Sequence, residues 1–251
     1  MKRLTTEVTP CQRIEVWGSA QEVEFRVAGA IHAWWHRERF LTGLAWDAIC
    51  AAVLLRAAGP PRSLLMLGLG GGTALRQLRF LVPDLRVTAV ELDPGMISLA
   101  AKFMHLDDLD IEIVEGDAYD WLLKNRKPFD AIVDDVYGSG VHDVHRPTVY
   151  TPQLADALRR SLASGGVFVA NLVTGPGHRT MQSAFRRFFR STFPCVRSVA
   201  APHSLNESLA GGDALSPPSV LHPYHHLWSH RRDRTLWQQL RCRRIGSRFS
   251  G

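Results

Sequence analysis

The chain has few cysteines and no long apolar run. Its 251 residues include 4 cysteines, and Cys11, Cys50, Cys195 and Cys242 form no C-x-x-C pair. This spacing argues against a structural zinc site, and a chain of this length does not need disulfide bonds. The N-terminus lacks the apolar segment of a signal peptide, and the longest apolar run, residues 48–55, is too short to span a bilayer. We therefore expect no metal, no membrane association and a cytoplasmic location.

Acidic residues are in the minority. The chain has 30 Lys and Arg against 24 Asp and Glu, which gives a net charge of +6, and much of the excess lies near the C-terminus. Residues 230–248, HRRDRTLWQQLRCRRIGSR, interleave arginines with Trp237 and Leu240. This segment is the best argument for nucleic-acid contact, as in an RNA-binding methyltransferase. Without an aromatic-rich recognition motif, however, arginines near a terminus more often form a solvated face, so nucleic acid is not the partner we favour.

The pattern along the chain predicts a small N-terminal β region, residues 1–40, and a larger α/β domain, residues 41–251. The alternating segments RIEVWG and EVEFRVAGAIHAW predict a β-hairpin. A helical pattern follows from Thr42 to Ala58, and short apolar strands then alternate with helices as far as residue 201. A late strand is expected at NESLAGG and a short helix in the tail. The alternation predicts a Rossmann-like α/β fold with a parallel sheet covered on both faces.

The first strand of the larger domain, SLLMLG, ends in a glycine-rich turn. Gly68, Gly70 and Gly72 form a G-x-G-x-G pattern directly before a helix. In such sheets ligands bind at the carboxyl ends of the strands, where a Cβ would collide with the ligand and the helix N-terminus offers free N–H groups. The context predicts a nucleotide-type ligand against Gly68, Leu69, Gly70 and Gly72.

Acidic residues end the strands that follow. Glu91 ends the second strand, where a carboxylate accepts hydrogen bonds from ribose hydroxyls. Asp117 follows the third strand, where it could accept from an exocyclic amine such as that of adenine. The fourth strand ends in Asp134 and Asp135, of which the one whose side chain clears the sheet would face the ligand. Together these residues predict an adenosine-containing ligand.

The glycine spacing helps to identify that ligand. The dinucleotide fingerprint G-x-G-x-x-G differs from the pattern here, because a single residue separates Gly70 from Gly72. Acids on the third and fourth strands also suit adenosine with a charged sulfonium chain better than a pyrophosphate. We therefore favour S-adenosylmethionine, or its decarboxylated form, as the cofactor.

These motifs give the chain a family resemblance. From Gln12 to about Val199 it resembles the spermidine synthase (aminopropyltransferase) family, a branch of the class I S-adenosylmethionine-dependent methyltransferase fold. The segments that carry the likeness are the hairpin, LLMLGLGGGTALRQL, VTAVELDPGMISLAAKF, IEIVEGDAYDWLL and FDAIVDDVYG. The resemblance implies that Gln12 contacts the cofactor, that Glu91 holds its ribose with Leu92 alongside, and that Asp117 and Ala118 hold its adenine.

The resemblance also implies a catalytic group. Asp135 matches the aspartate that accepts the amine proton and steers the nucleophile in aminopropyltransferases, and Tyr137 lies beside it. The alternative is that Asp135 only hydrogen-bonds the amino group of the cofactor. Family members often pair, so a homodimer is expected.

The chain departs from the family in its acidic residues. Gly71 stands where the family's glycine loop has an aspartate, Gly138 stands where a second polyamine-anchoring aspartate belongs, and HAWWHRERFLTGL has no counterpart of the family's tyrosine–histidine–glutamate region. A polycation needs several buried carboxylates. We therefore predict that the chain binds the intact cofactor and transfers its methyl group, or another cofactor-derived group, to a small amine-bearing or hydroxyl-bearing molecule. The alternatives are aminopropyl transfer to a polyamine from the decarboxylated cofactor, an RNA-binding methyltransferase, and a catalytically silent cofactor-binding subunit.

Overall fold

The computed structural model describes residues 1–139, 144–146 and 150–246. Its strands are β1 (Lys2–Val8), β2 (Arg13–Gly18), β3 (Glu22–Val27), β4 (Ala30–His36), β5 (Ser63–Leu67), β6 (Arg86–Glu91), β7 (Glu112–Glu115), β8 (Phe129–Asp134), β9 (Gly138–Ser139), β10 (Val144–His145), β11 (Leu162–Val173), β12 (Cys195–Ala200), β13 (Asn206–Gly212) and β14 (Arg241–Ile245). Its helices are α1 (Ala45–Val53), α2 (Thr73–Leu81), α3 (Pro94–Met104), α4 (Ala118–Lys124), α5 (Pro152–Ser161), α6 (Arg179–Thr192) and α7 (Arg231–Gln238).

The central sheet is mixed. Its eight strands lie in the order β14-β12-β13-β11-β8-β5-β6-β7. Five neighbouring strands, β11, β8, β5, β6 and β7, pair in parallel. In contrast, β13 runs antiparallel to β11 and β12, and β14 runs antiparallel to β12. The Rossmann-like fold is confirmed, but the prediction of a wholly parallel sheet is wrong at this edge. Only five residues join β12 to β13, so the chain must return antiparallel, since a parallel crossover needs a dozen or more.

Helices cover both faces of the sheet because successive strand residues point to opposite sides. In β5, Leu64 and Met66 belong to the hydrophobic cluster under the N-terminal strands and the first three helices. Leu65 and Leu67 belong to a second cluster, which includes side chains from α4, α5 and α6. Burial on both sides explains why this strand is an unbroken apolar run.

The N-terminal region forms a four-stranded antiparallel sheet, β1-β2-β3-β4, rather than a hairpin alone. Sequence analysis missed β1 because none of its residues is buried and its apolar alternation is weak. The sheet joins the main core through Phe25 and Ala33. Thr73, at the start of α2, fixes its position: the Trp34 N–H donates to Thr73 Oγ1 (2.8 Å) and the hydroxyl donates back to the Trp34 carbonyl (3.0 Å). The boundary at residue 40 stays a prediction.

Helix α1 is shorter than the predicted span of Thr42–Ala58. The buried Asp47 carboxylate accepts the N–H groups of Thr42 and Gly43, and this holds the preceding residues as a loop. At the other end Arg56 forms a β-bridge with Leu215. Within the part of the chain that the structure describes, no helix has both the length and the apolar character needed to cross a membrane.

Candidate active site

A cavity lies at the carboxyl edge of the central sheet. Its volume is about 510 Å³, within the range of about 300–1,000 Å³ usual for small-molecule sites. The ends of the parallel strands form its floor, while the first residues of β4 and the N-terminal end of α1 cover it. The fold therefore builds the cavity between its two sheets, at the edge where the sequence predicts the ligand.

The cavity brings together ten of the eleven residues predicted for the site. They are Gln12, Gly68, Leu69, Gly70, Glu91, Leu92, Asp117, Ala118, Asp135 and Tyr137. The structure places Gly72 elsewhere: it is the N-cap of α2 with φ +77, and a Cβ there would meet Leu106 Cδ1 at 2.9 Å. Gly72 therefore permits the sharp entry into α2, behind the cavity.

Gly68 makes the turn after β5 possible, for a reason that differs from the predicted one. Its φ is +81, and a Cβ would lie 2.7 Å from the Asp135 carbonyl oxygen. The neighbouring strand end, rather than a ligand, thus excludes a side chain here. The close approach of the two backbones sets the glycine turn beside Asp135.

Gly71 has a similar role against the N-terminal sheet. Its φ is not positive, but a Cβ would overlap the Cβ of Ala33 on β4. The residue does not line the cavity. An aspartate at this position would therefore require β4 to move, so the missing loop carboxylate is linked to the close packing of β4 on the glycine turn.

The Glu91 carboxylate is held at the end of β6 by backbone groups. Its Oε2 accepts the N–H groups of Leu69 and Gly70, each at 2.9 Å, and its Oε1 accepts the N–H of Asp93 at 3.0 Å. These contacts fix the carboxylate against the glycine turn. Each carboxylate oxygen can accept two hydrogen bonds, so Oε1 keeps capacity for a ribose hydroxyl.

Gln12 reaches the cavity from the turn between β1 and β2. Its side-chain amide donates to Asp93 Oδ2 at 2.9 Å, and the Thr9 hydroxyl donates to the same oxygen at 2.8 Å. Asp93 is only 1% exposed and also accepts the N–H of Gly95 at the start of α3. One buried carboxylate thus ties the β1–β2 turn to the helix that follows Glu91.

Asp117 caps helix α4 at the edge of the cavity. Its Oδ1 accepts the N–H groups of Tyr119 and Asp120 at 2.8 and 2.9 Å, and Ala118 is the first helical residue. Among the residues that the structure describes, no donor is hydrogen-bonded to the second oxygen, Oδ2. That oxygen could accept from an exocyclic amine, as the sequence predicts.

The structure distinguishes the two aspartates at the end of β8. Asp134 is fully buried beneath the sheet, where its carboxylate pairs with Arg146 Nη1 at 2.9 Å. Asp135 is the residue whose side chain reaches the cavity. Its Oδ1 accepts the side-chain N–H of Asn171 at 2.7 Å.

The surroundings of Asp135 suit it to accept a proton. Burial raises its pKa to about 6, although the hydrogen bond from Asn171 and the charge of Arg146 both oppose that shift. A carboxylate with a pKa near 6 is mostly ionised at neutral pH, yet it is a stronger base than an ordinary aspartate.

The Tyr137 hydroxyl is occupied by the backbone of β11. It donates to the Asn171 carbonyl at 2.8 Å and accepts the Val173 N–H at 3.0 Å. Burial raises the pKa of the phenol, so at neutral pH the group is a hydroxyl. This geometry lets Tyr137 hold the end of β11 beside Asp135, and its predicted catalytic role stays a prediction.

Sequence analysis missed one side of the cavity. Trp46, Asn171, His203 and Asn206 line the cavity but were not predicted as site residues. A lone asparagine in the apolar run VFVANLV is a signal that could have identified Asn171, because a buried polar residue at a strand end needs a partner. His203 lies in the turn between the antiparallel strands β12 and β13, and Asn206 begins β13; an all-parallel sheet does not predict this turn.

The basic C-terminal segment lies at the far edge of the sheet. Arg241, Arg243 and Arg244 lie on the edge strand β14, outside the large cavity. Trp237 is buried, and its indole N–H donates to the Leu221 carbonyl, so its ring is not available for stacking on a base. Nucleic-acid contact stays a prediction.

Comparison with known proteins supports the predicted methyltransferase-type domain. A family model described as Methyltransferase domain matches residues 64–166. A probable polyamine aminopropyl transferase from Bifidobacterium longum is 29% identical over 177 residues, covering 69% of this chain and 38% of that protein. The first three curated relatives are matched over 38%, 22% and 44% of their length, so the chain spans less than half of each.

Two solved structures share the fold. A probable spermidine synthase from Corynebacterium glutamicum has a TM-score of 0.72 at 20% identity, over 89% of this chain and 86% of that chain. Human methyltransferase-like protein 13, in complex with SAH, has a TM-score of 0.59 at 22% identity, over 75% of this chain and 90% of that chain. Residues 64–166 therefore match a methyltransferase domain, and the fold of the chain is similar to that of spermidine synthases and of a class I methyltransferase.

Proposed function

We propose that the chain is an S-adenosylmethionine-type transferase that moves the aminopropyl group of decarboxylated S-adenosylmethionine to an amine. The observation that carries the proposal is the position of Asp135, a carboxylate of raised pKa that lines the cavity beside the glycine turn. The curated relatives named as polyamine aminopropyltransferases support this reaction over the methyl transfer favoured by the sequence.

The residues of the cavity fit the adenosyl part of the donor. Glu91 offers acceptor capacity for the ribose, Asp117 offers a carboxylate oxygen for the adenine amine, and the exposed Leu92 offers an apolar surface. The donor's sulfonium chain then extends past the glycine turn toward Asp135. The donor is a substrate of this reaction, not a resident group.

The reaction needs in-line positioning and one base. The amine nitrogen forms a bond to the aminopropyl carbon next to sulfur, and the bond between that carbon and sulfur breaks. Its electron pair stays on sulfur, which leaves neutral methylthioadenosine. Asp135 accepts the proton that the amine nitrogen loses and later releases it to solvent.

Methyl transfer to an amine is the second candidate, and Gly71 favours it. Without a carboxylate in the glycine loop, this chain lacks one partner for the ammonium of the decarboxylated donor. It also lacks one negative charge that would repel the carboxylate of the intact donor. In this reaction the methyl–sulfur bond breaks, and the product is S-adenosylhomocysteine.

The nucleoside product separates the two reactions. The purified chain is incubated with each donor in turn and a mixture of small amines, and the products are identified by mass spectrometry. We expect methylthioadenosine and an aminopropylated amine with the decarboxylated donor. Formation of S-adenosylhomocysteine alone, from the intact donor, would establish the second candidate instead.

A further inference from the structure

A second cavity lies at the far edge of the central sheet, between helix α6 and the outer strands. We call it the basic cleft, and its volume is about 320 Å³. Its described lining residues are Arg186 on α6, Ser198 and Ala200 on β12, Glu207 on β13, and Arg241, Arg243, Arg244 and Ile245 on β14. No described residue lines both the basic cleft and the candidate active site, so the proposed transfer reaction gives the cleft no role.

The pairing of β12 with β14 brings a hydroxyl and two guanidinium groups to one face of the sheet. In this antiparallel pair Ser198 lies opposite Arg243, and Val196 lies opposite Ile245. Val196 and Ile245 pack in the hydrophobic cluster that includes side chains of α6. Because residues two apart on a strand share a face, Ser198, Arg241 and Arg243 also point to the α6 side.

The described lining of the basic cleft is positively charged. Arg186 donates from Nε and Nη2 to Glu207 Oε1, at 3.0 and 2.7 Å, and this pair is neutral. The charge of the described lining therefore comes from Arg241, Arg243 and Arg244. All three side chains are exposed along β14, so they keep the freedom to close on a ligand.

The Ser198 side chain adds a hydrogen-bonding group to the cleft. Ser198 is only 8% exposed, and it lines the cleft opposite Arg243. Among the residues that the structure describes, its hydroxyl has no hydrogen-bond partner. Buried polar groups in folded proteins normally have a partner, and an oxygen of a ligand in the cleft would supply one.

This combination of groups matches a phosphate. The guanidinium fork of arginine matches the geometry of phosphate oxygens, and its charge-assisted hydrogen bonds are strong ones. A phosphate has enough oxygens to meet two guanidinium groups and a hydroxyl at once, whereas a carboxylate offers only two oxygens. The volume of the cleft is near the lower end of the usual range for small-molecule sites.

We infer that the basic cleft is a second binding site, which holds a phosphate group between the guanidinium groups of Arg241 and Arg243 and the hydroxyl of Ser198. Two sources share this chemistry, a small phosphorylated compound and the backbone of a single-stranded nucleic acid. The inference does not depend on the proposed function, because binding at this cleft needs neither the donor nor turnover.

Isothermal titration with pyrophosphate, and separately with a short oligouridylate, tests the site. The buffer contains no phosphate and about 50 mM salt, because salt screens exposed charges. We expect Arg243→Gln to raise the Kd of the bound probe by roughly tenfold, as for the loss of a charged hydrogen-bond donor. Arg86→Gln is the matched control. It removes the same charge from the exposed start of β6, toward the opposite edge of the sheet, and should change the Kd far less.

A serine variant distinguishes a built site from a diffuse basic surface. Ser198→Ala removes the hydroxyl and should raise the Kd by about threefold or more. Ser208→Ala is the control, because the Ser208 hydroxyl is also buried without a described partner. Ser208 lies opposite Val199, which packs in the cluster on the other face of the sheet. Its loss should therefore leave binding unchanged.

The two probes identify the source of the phosphate. Pyrophosphate binding that Arg243→Gln and Ser198→Ala both weaken supports the site and assigns it to a small phosphorylated compound. Binding of the oligouridylate alone, with the same sensitivity to both variants, supports the site and assigns it to a nucleic-acid backbone. The inference is overturned if neither probe binds, if Arg243→Gln has no more effect than Arg86→Gln, or if Ser198→Ala has no more effect than Ser208→Ala.

Discussion

At the scale of single residues, Asp135 carries most of the proposed chemistry. It lies where β8 ends, one position after a buried aspartate that is ion-paired with Arg146. Two adjacent acids thus have opposite environments, because successive residues at a strand end point to opposite faces of the sheet. The sequence predicts that one of the pair faces the ligand, and in the structure Asp135 is the one that lines the cavity.

The pKa of Asp135 predicts a pH dependence. Since burial raises that pKa to about 6, a base at this position loses its function by protonation as the pH falls through 6. We expect kcat/KM to fall on the acid side with an apparent pKa near 6, as measured from initial rates between pH 5 and 9.

The variant Asp135→Asn tests that assignment. It should lower kcat by about 10²–10⁴-fold and remove the acid limb near pH 6, while donor affinity stays within a few fold. If turnover is unchanged and only donor affinity drops, then Asp135 merely binds the donor's amino group, and the base assignment is wrong.

The role of a residue could be predicted where a motif fixes both its place at a strand end and the neighbouring strand ends beside it. Glu91 ends a strand and Asp117 follows the next one, and the apolar pattern reveals both strands, so the place of these residues at the sheet edge could be predicted. The roles of Asn171 and Asn206 could not be predicted, because these roles depend on a hydrogen bond between two residues that are 35 positions apart in the sequence. Gly71 was recognised as a departure, but its packing against Ala33 is visible only in three dimensions.

At the scale of elements, the close packing of β4 on the glycine turn leaves no room for a side chain at Gly71. Gly71→Ala places a Cβ against that of Ala33, and overpacking of this kind costs about 1–3 kcal/mol. We expect the free energy of unfolding to fall by that amount in urea denaturation.

A compensating substitution provides the control. Ala33→Gly removes the opposing Cβ, so the double variant should be more stable than the sum of the two single effects implies. An additive double variant would show that Ala33 is not the cause of the loss.

The β1–β2 turn depends on Asp93 for its attachment to α3. Asp93→Asn replaces one acceptor oxygen by a donor, although three groups donate to this carboxylate. We expect Gln12 to lose its position and KM for the donor to rise by about tenfold, with kcat less affected. The exposed Asp84→Asn is the matched control, and an equal change in both variants would contradict the assigned role of Asp93.

Element types were easier to predict than their boundaries and neighbours. The apolar runs of β5, β6 and β8 stand out because both faces of these strands are buried. Helix α1 was predicted too long, because the Asp47 carboxylate holds the backbone of Thr42 and Gly43 in a loop and Gly43 has a positive φ. Strand β14 was missed because its arginines follow no alternating pattern.

At the scale of the whole molecule, the cavity depends on both sheets. The N-terminal sheet supplies the cover, the central sheet supplies the floor, and one hydrophobic cluster includes residues of both. Sequence analysis treats the N-terminal region as an appendage, because a pattern along the chain does not show which surfaces meet. A ligand in the cavity should therefore stabilise the two sheets together.

Thermal unfolding tests this coupling. A nucleoside ligand at about 100 times its Kd adds about 2.7 kcal/mol of stability, which should raise Tm by roughly 5–10 °C for a chain of this size. We expect one cooperative transition that shifts as a whole in calorimetry. Two transitions, of which only one responds to the ligand, would contradict the coupling.

The central claim is that the cavity beside Gly68 and Glu91 binds an adenosyl sulfur compound. Isothermal titration with methylthioadenosine and with S-adenosylhomocysteine tests it directly, because these are the nucleoside products of the two candidate reactions. The account predicts that at least one binds with a stoichiometry of one, and that Glu91→Gln weakens this binding by about tenfold or more. Absence of binding by both compounds, or binding that Glu91→Gln leaves unchanged, would contradict it.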